Sequence, residues 1–287
     1  MDIEEAIRLY NSVGPRNGNF LFKWLYKIYS KVYLPCIDPQ FKENLAKNKT
    51  KLTIFDVLVD DLADNYKLRN GNLLEQFIQI PWNNTKEYKN EYLEAGRKIW
   101  QSCISSIKKY PRFKEFERMF YFDLRQVLYS MEYSFLVNTM YLDNQLENKI
   151  YLPHGCMVIL HCDMDLMCSP AFDINELNKM RIIFHLAQRI CHIGNMLNTY
   201  PKEIKEKDFS SPIISLAIEK GLVKRNELIE LSKLKNLEYE FKKEVNECLK
   251  KLKEYEIKIK SVNLYGFSNN LKKLFIEFIN RKRYWED

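Results

Sequence analysis

Asp60, Asp61 and Asp64 fall in a single short run, Asp-Asp-Leu-Ala-Asp. A helix turns about 100° per residue, so positions four apart are offset by only about 40°. Asp60 and Asp64 are therefore expected side by side, with Asp61 on a flank. Leu52, Phe55, Leu58, Val59 and Leu62 share one helical face, and the carboxylates come directly after its Phe55, Leu58 and Val59, so they belong near the C-terminal end of a packed helix. Negative side chains there oppose the helix dipole and one another. A divalent cation would offset both effects. Magnesium suits the site because it takes oxygen ligands, commonly one or two carboxylates together with substrate phosphate and water. The competing reading is an acidic helix end turned to solvent, in a chain holding 38 Asp and Glu residues.

A second constellation lies at 195–203, Asn-Met-Leu-Asn-Thr-Tyr-Pro-Lys-Glu. Asn195, Thr199 and Glu203 are spaced four and four apart, which gathers an amide oxygen, a hydroxyl and a carboxylate within an arc of about 80°. That is a plausible donor set for a hard cation. Read alone, it is equally an ordinary polar helix face. Pro201 within the run removes a backbone hydrogen bond and is expected to strain or kink the helix.

The elements that must position these groups read as helices. Apolar periodicity predicts a first helix over 20–34, ending near Pro35, then one through 51–66. Others are expected over 85–108, 115–142, 174–207, 224–260 and 266–283. The segment 151–170 is less regular, and Pro153 with Gly155 predicts a break there. Its Asp163 and Asp165 form no recognised acidic motif and are read as structural. No repeat, low-complexity tract or long linker interrupts the pattern, so 1–287 is expected to be one continuous helical domain. Only 8 Gly and 9 Pro occur, too few for the regular turns of an all-β sandwich or barrel.

At this length a single domain can bury a large core and still enclose a cavity. Aromatics reach 14% of the chain, enough to line a large apolar pocket as well as a core. The net charge of +7 is spread along mixed-sign helix faces, with no compact basic stripe and no nucleic-acid-binding module, so a nucleic-acid partner is not expected. The seven Cys lack a CxxC pair and sit mostly among apolar residues, as free thiols in a reducing compartment would. No apolar run approaches membrane-spanning length. The acidic start MDIEEAIRLY lacks the basic and apolar regions of a signal peptide, and a cytoplasmic location is expected.

The two clusters together resemble the metal-binding motifs of class I terpene synthases, an aspartate-rich DDxxD followed by NDxxSxxxE in the second half of the domain. Asp60, Asp61 and Asp64 match the first. Asn195, Thr199 and Glu203 match the second, with Thr in the Ser position and Met196 where Asp is usual. Lys202 matches a basic residue implied to contact diphosphate, and the continuation EIKEKDFSSPI resembles the end of this region in bacterial-type enzymes. Arg283-Tyr284 resembles the Arg-Tyr pair that grips the diphosphate. The resemblance spans roughly 50–287, with the motifs in the right order.

It implies an all-α, single-domain class I terpenoid synthase bundle with a central cavity, in which Asp60, Asp64, Asn195, Thr199 and Glu203 hold three magnesium ions against a prenyl diphosphate, farnesyl or geranylgeranyl favoured. A homodimer is an allowed assembly. The family usually has a diphosphate-sensing Arg about 46 residues before the second motif. That place here is Lys149, a point charge lacking the Arg fork. Arg125 is the other candidate, and His154 lies beside the break. Pocket candidates are Phe55, Phe122, Tyr129, Tyr133, Met131 and Met164, each also explicable as core. A chain-elongating trans-prenyltransferase would need a second DDxxD, which is absent. Head-to-head synthases use paired DxxxD motifs, of which Asp56 and Asp60 supply one, and class II cyclases use DxDD, which is missing. A non-enzymatic helical interaction protein with fortuitous acidic patches is the alternative from another class.

Overall fold

A computed structural model describes residues 1–83, 86–142, 144–225 and 227–280. It is helical throughout, with no strand among the described residues. In chain order the helices are α1 Ile3–Asn11, α2 Gly18–Tyr29, α3 Lys42–Asp64, α4 Gly71–Ile78, α5 Glu91–Ile107, α6 Phe113–Met140, α7 Gln145–Tyr151, α8 Val158–Met167, α9 Leu177–Glu206, α10 Pro212–Glu219, α11 Leu231–Lys235, α12 Glu238–Glu256 and α13 Phe267–Asn280.

Side-chain caps fix several of their starts. Asp2 accepts from the Glu5 amide, Asn17 from Phe20, Asn70 from Leu73, and Asn90 from Tyr92 and Leu93. Each cap satisfies N–H groups that have no partner within the helix. The Asn90 cap also explains why α5 begins later than the expected 85. The helix expected over 20–34 stops at Tyr29. Pro35 disfavours helical geometry at Leu34, and the Leu34 amide instead donates to Asp165 Oδ2 at 3.0 Å.

Helix α3 is the axis of the molecule and begins well before the expected 51. It packs on α1, α2, α4, α5, α6 and α8, and most of its length is buried, including Asn48, Lys49, Thr50, Asp56 and Asp61. Such polar groups need internal partners. Lys49 Nζ pairs with Asp165 Oδ1 at 2.7 Å, both buried, and Asn48 Nδ2 donates to Ser106 Oγ and Tyr110 Oη. The other long axis, α9, packs on α8, α10, α12 and α13.

The expected break is present. Leu152–Cys156 form a 3-10 turn between α7 and α8, and Met157 takes a left-handed backbone, φ 56°. Pro201 does not end α9, which runs on to Glu206. The stretch 224–260 divides into α11 and α12. No described helix is long and apolar enough to cross a membrane.

Candidate functional site

The C-terminal half of α3 and the C-terminal third of α9 border one cavity of about 350 Å³. Asp60 and Asp64 line it from α3, and Asn195, Thr199, Lys202 and Glu203 line it from α9. The two motifs, more than a hundred residues apart in sequence, thus meet at a common space. Met131 also lines it, beside Ser130 and Ser134 on the inward face of α6.

The α9 donors interact among themselves. The Thr199 hydroxyl lies within reach of the Asn195 carbonyl oxygen at 2.9 Å and of Glu203 Oε1. The Lys202 ammonium pairs with Glu206 at 3.1 Å. On the α3 side Asp64 Oδ1 accepts from the Ser134 hydroxyl. The end of α3 is relieved of part of its dipole cost by Arg69, whose Nη2 and Nε donate to the carbonyls of Asp64 (2.8 Å) and Ala63 (3.0 Å).

A further carboxylate, Asp208, completes the lining. It follows the left-handed C-cap Lys207 of α9. Its Oδ1 accepts from the Ser210 amide at 2.9 Å, the Ser210 hydroxyl at 2.7 Å and Asn138 Nδ2 at 2.9 Å. Asp208 has no place in either expected cluster, although the Asp-x-Ser of its Asp-Phe-Ser-Ser run is a turn signal that aims a carboxylate back at its own backbone.

These acids sit close together and wholly or partly buried, which works against their ionisation. Burial pushes the Glu203 carboxyl up to about 8, with the nearby Asp208 adding to the effect. Burial, then Asp208 and Asp60, hold Asp64 well above the usual carboxylate range, and burial raises Asp208. Glu203 Oε2 is buried without a hydrogen-bond partner. An orphaned carboxylate oxygen among mutually repelling acids, an amide and a hydroxyl fits a hard divalent cation. Among the described residues no group of three or more His, Cys, Asp or Glu side chains is already arranged to hold a metal ion. The candidate set relies on Asn195 and Thr199 beside the acids.

Asp61 does not line the cavity. It is fully buried, accepting from the Tyr10 hydroxyl at 2.7 Å and from Arg16 Nε at 2.6 Å. Arg16 Nη2 also pairs with Asp60. Neither α1 nor Arg16 was foreseen, although Asp2 followed by Glu4 and Glu5 is a helix-start signal.

A second cavity, about 240 Å³, adjoins the first; Arg16, Leu21, Asp60, Gly155, Cys156 and Asn195 line both. Its wall is largely apolar, including Trp24, Leu25, Ile28, Val57, Leu271 and Phe278. A few buried polar groups face it, among them Asp56 and His161.

Most of the expected pocket residues stand elsewhere. Phe55 is packed against Phe77 and Trp100 in the core. Phe122 and Tyr129 are half exposed on the outward face of α6, and Arg125 between them stacks on Trp82 at 5.3 Å. Tyr133 is buried, donating to Asn148 Oδ1 at 2.9 Å. Met164 is buried outside both linings. Lys149 is exposed at the end of α7, and His154 contacts Gln188 at 3.4 Å. Arg283 and Tyr284 lie outside the described residues.

No family model matches this chain, and no curated protein matches it.

Proposed function

We propose that this chain is a class I terpene synthase that ionises a prenyl diphosphate and converts the resulting carbocation to a terpene hydrocarbon or alcohol. The observation that carries the reading is the convergence of Asp60 and Asp64 with Asn195, Thr199 and Glu203 on one polar cavity that adjoins an apolar one. The two compartments suit the two halves of a prenyl diphosphate, a highly charged head and a hydrocarbon tail.

Asp60, Asp64, Asn195, Thr199 and Glu203 are the residues that would hold magnesium, with Asp208 able to accept from a shared ligand or water. Bound magnesium would supply charge neutralisation that makes the diphosphate a better leaving group. Lys202 adds a cation at the same wall, aimed at charge that builds on the departing group. The apolar cavity would hold the tail folded and keep water from the carbocation, so that the chain's own double bonds are the nearest nucleophiles. The rings of Trp24, Tyr29 and Phe278 line that cavity and can stabilise passing positive charge through their faces.

The test is incubation of the purified chain with magnesium and geranyl, farnesyl or geranylgeranyl diphosphate, with extracts analysed by gas chromatography. Cyclic or linear hydrocarbons or alcohols are expected. Longer prenyl diphosphates formed on adding isopentenyl diphosphate would instead identify a chain-elongating prenyltransferase. Inertness toward all three substrates would favour a helical interaction protein.

A further inference from the structure

Between α1 and α2 the chain runs Ser-Val-Gly-Pro-Arg-Asn, and it is fastened at several points. Gly14 lies against the Tyr10 ring so closely that a Cβ there would stand 2.4 Å from Tyr10 Cζ. Only glycine permits that approach. The Gly18 amide donates to Asn11 Oδ1 at 3.1 Å, and the Arg16 amide to Tyr10 Oη at 3.4 Å. Tyr10 in turn donates to Asp61, so the loop is tied through one phenol to the central helix.

The loop delivers Arg16 to the join between the two cavities. The two ends of its guanidinium have unlike anchors. Nε is held by Asp61, which is sealed from solvent and shared with Tyr10. Nη2 is held by Asp60, which is about a quarter exposed and lines both cavities. Among the described residues, the Lys and Arg side chains lining the polar cavity are Arg16 and Lys202. Lys149 and Arg125 are not there.

We propose that Arg16 is the diphosphate-gripping arginine of this site, kept in place by Asp61 and released from Asp60 when that carboxylate takes a divalent cation. The assignment rests on the terpene synthase reading above. A doubly charged ion on Asp60 competes with the guanidinium for the same carboxylate, and repulsion between the two cations weakens the Nη2 contact. The Nη donors then serve the nearest anion, while the Nε anchor remains. A planar fork of N–H donors matches phosphate oxygens better than an ammonium does, so Arg16 is chemically the stronger candidate than Lys149.

Calorimetric titration of the full chain tests this with magnesium chloride alone and then with inorganic pyrophosphate at saturating magnesium. Arg16→Gln is expected to bind magnesium alone more tightly, since a positive charge leaves Asp60. It should bind pyrophosphate roughly tenfold or more weakly, the loss of a charge-assisted contact. Arg16→Lys, which keeps a charge beside Asp61, should show both effects in smaller measure and serves if the Gln variant does not fold. Lys149→Ala should match the wild type. Tighter magnesium with unchanged pyrophosphate affinity would reduce Arg16 to a latch on the empty acids and overturn the assignment. Absence of magnesium-dependent pyrophosphate binding by the wild type would overturn the terpene synthase reading itself, and this assignment with it.

Discussion

The Tyr10 hydroxyl donates to Asp61 Oδ2 at 2.7 Å, joining the first helix of the chain to the end of its central one. Arg16 takes the other oxygen of the same carboxylate. The middle member of the aspartate-rich motif is thus a positioning group, and its neighbours Asp60 and Asp64 face the cavity. Tyr10→Phe removes one buried hydrogen bond to a charged acceptor and should lower stability by about 1–3 kcal/mol. Asp61→Ala removes the Nε partner of Arg16 as well, leaving it Asp60 alone, and should cost more, about 3–5 kcal/mol. Denaturant unfolding of the two variants measures both, and equal small losses would contradict the anchoring role.

The crowded acids predict a pH dependence with a definite sign. In the folded, metal-free chain Glu203 is pushed up to about 8 by burial and Asp208, from an ordinary value of 4.5. Across that window the folded state binds more protons than the unfolded one, so this group's contribution to stability falls as pH rises from about 4.5 to about 8. Asp64 and Asp208 shift the same way. Glu176 acts in a separate window. Backbone N–H groups of Ser261 and Lys260 hold it at about 2, so its contribution is present above about 4.5 and lost as pH falls towards 2. On the proposed function, magnesium would have to displace the protons on Glu203 and its neighbours, so the rise in melting temperature on adding it should be larger at pH 8 than at pH 5.5. Melts with chelator and with magnesium at both values check this; an equal rise at the two would contradict it.

Gly155 predicts how the cavities communicate. It lines both, and a Cβ there would stand 3.1 Å from Met131 Cε and from Ser130 Oγ. Gly155→Leu should obstruct the join, lowering turnover of longer prenyl diphosphates by roughly tenfold or more. Pyrophosphate binding, which leaves the apolar cavity empty, should lose less than turnover does. Comparing steady-state rates with pyrophosphate titrations separates the two effects.

In the wall of the second cavity, Lys49 and Asp165 form a pair with almost no solvent contact. Lys49→Met should cost about 3–5 kcal/mol by leaving Asp165 charged and unpaired, and adding Asp165→Leu should recover much of it. A double-mutant cycle by chemical denaturation provides the measurement.

The all-helical class was legible because periodicity is a property of each segment alone. The two polar clusters at 60–64 and 195–203 were legible because four-residue spacing sets their direction on a helix whatever surrounds it. The pocket was not. Phe122 and Tyr129 have the composition of a cavity wall, yet the cavity face of α6 belongs to Ser130, Met131 and Ser134. Which stripe of a long helix faces the site depends on its rotation against α3 and α8, and large apolar residues also occur on surfaces. Arg16 was invisible for another reason: its role depends on a loop crossing to α3 over more than forty residues, which no local pattern encodes.

On the proposed function, α3 and α9 act as two halves of one magnesium-dependent diphosphate site. The most direct test is the initial rate of pyrophosphate release from farnesyl or geranylgeranyl diphosphate by the wild type, Asp60→Asn and Asn195→Ala, each with magnesium and with chelator. The account predicts release by the wild type only with magnesium, and a loss of roughly a hundredfold or more in each variant, while circular dichroism stays unchanged. Full rates in both variants, or release that ignores the chelator, would contradict it.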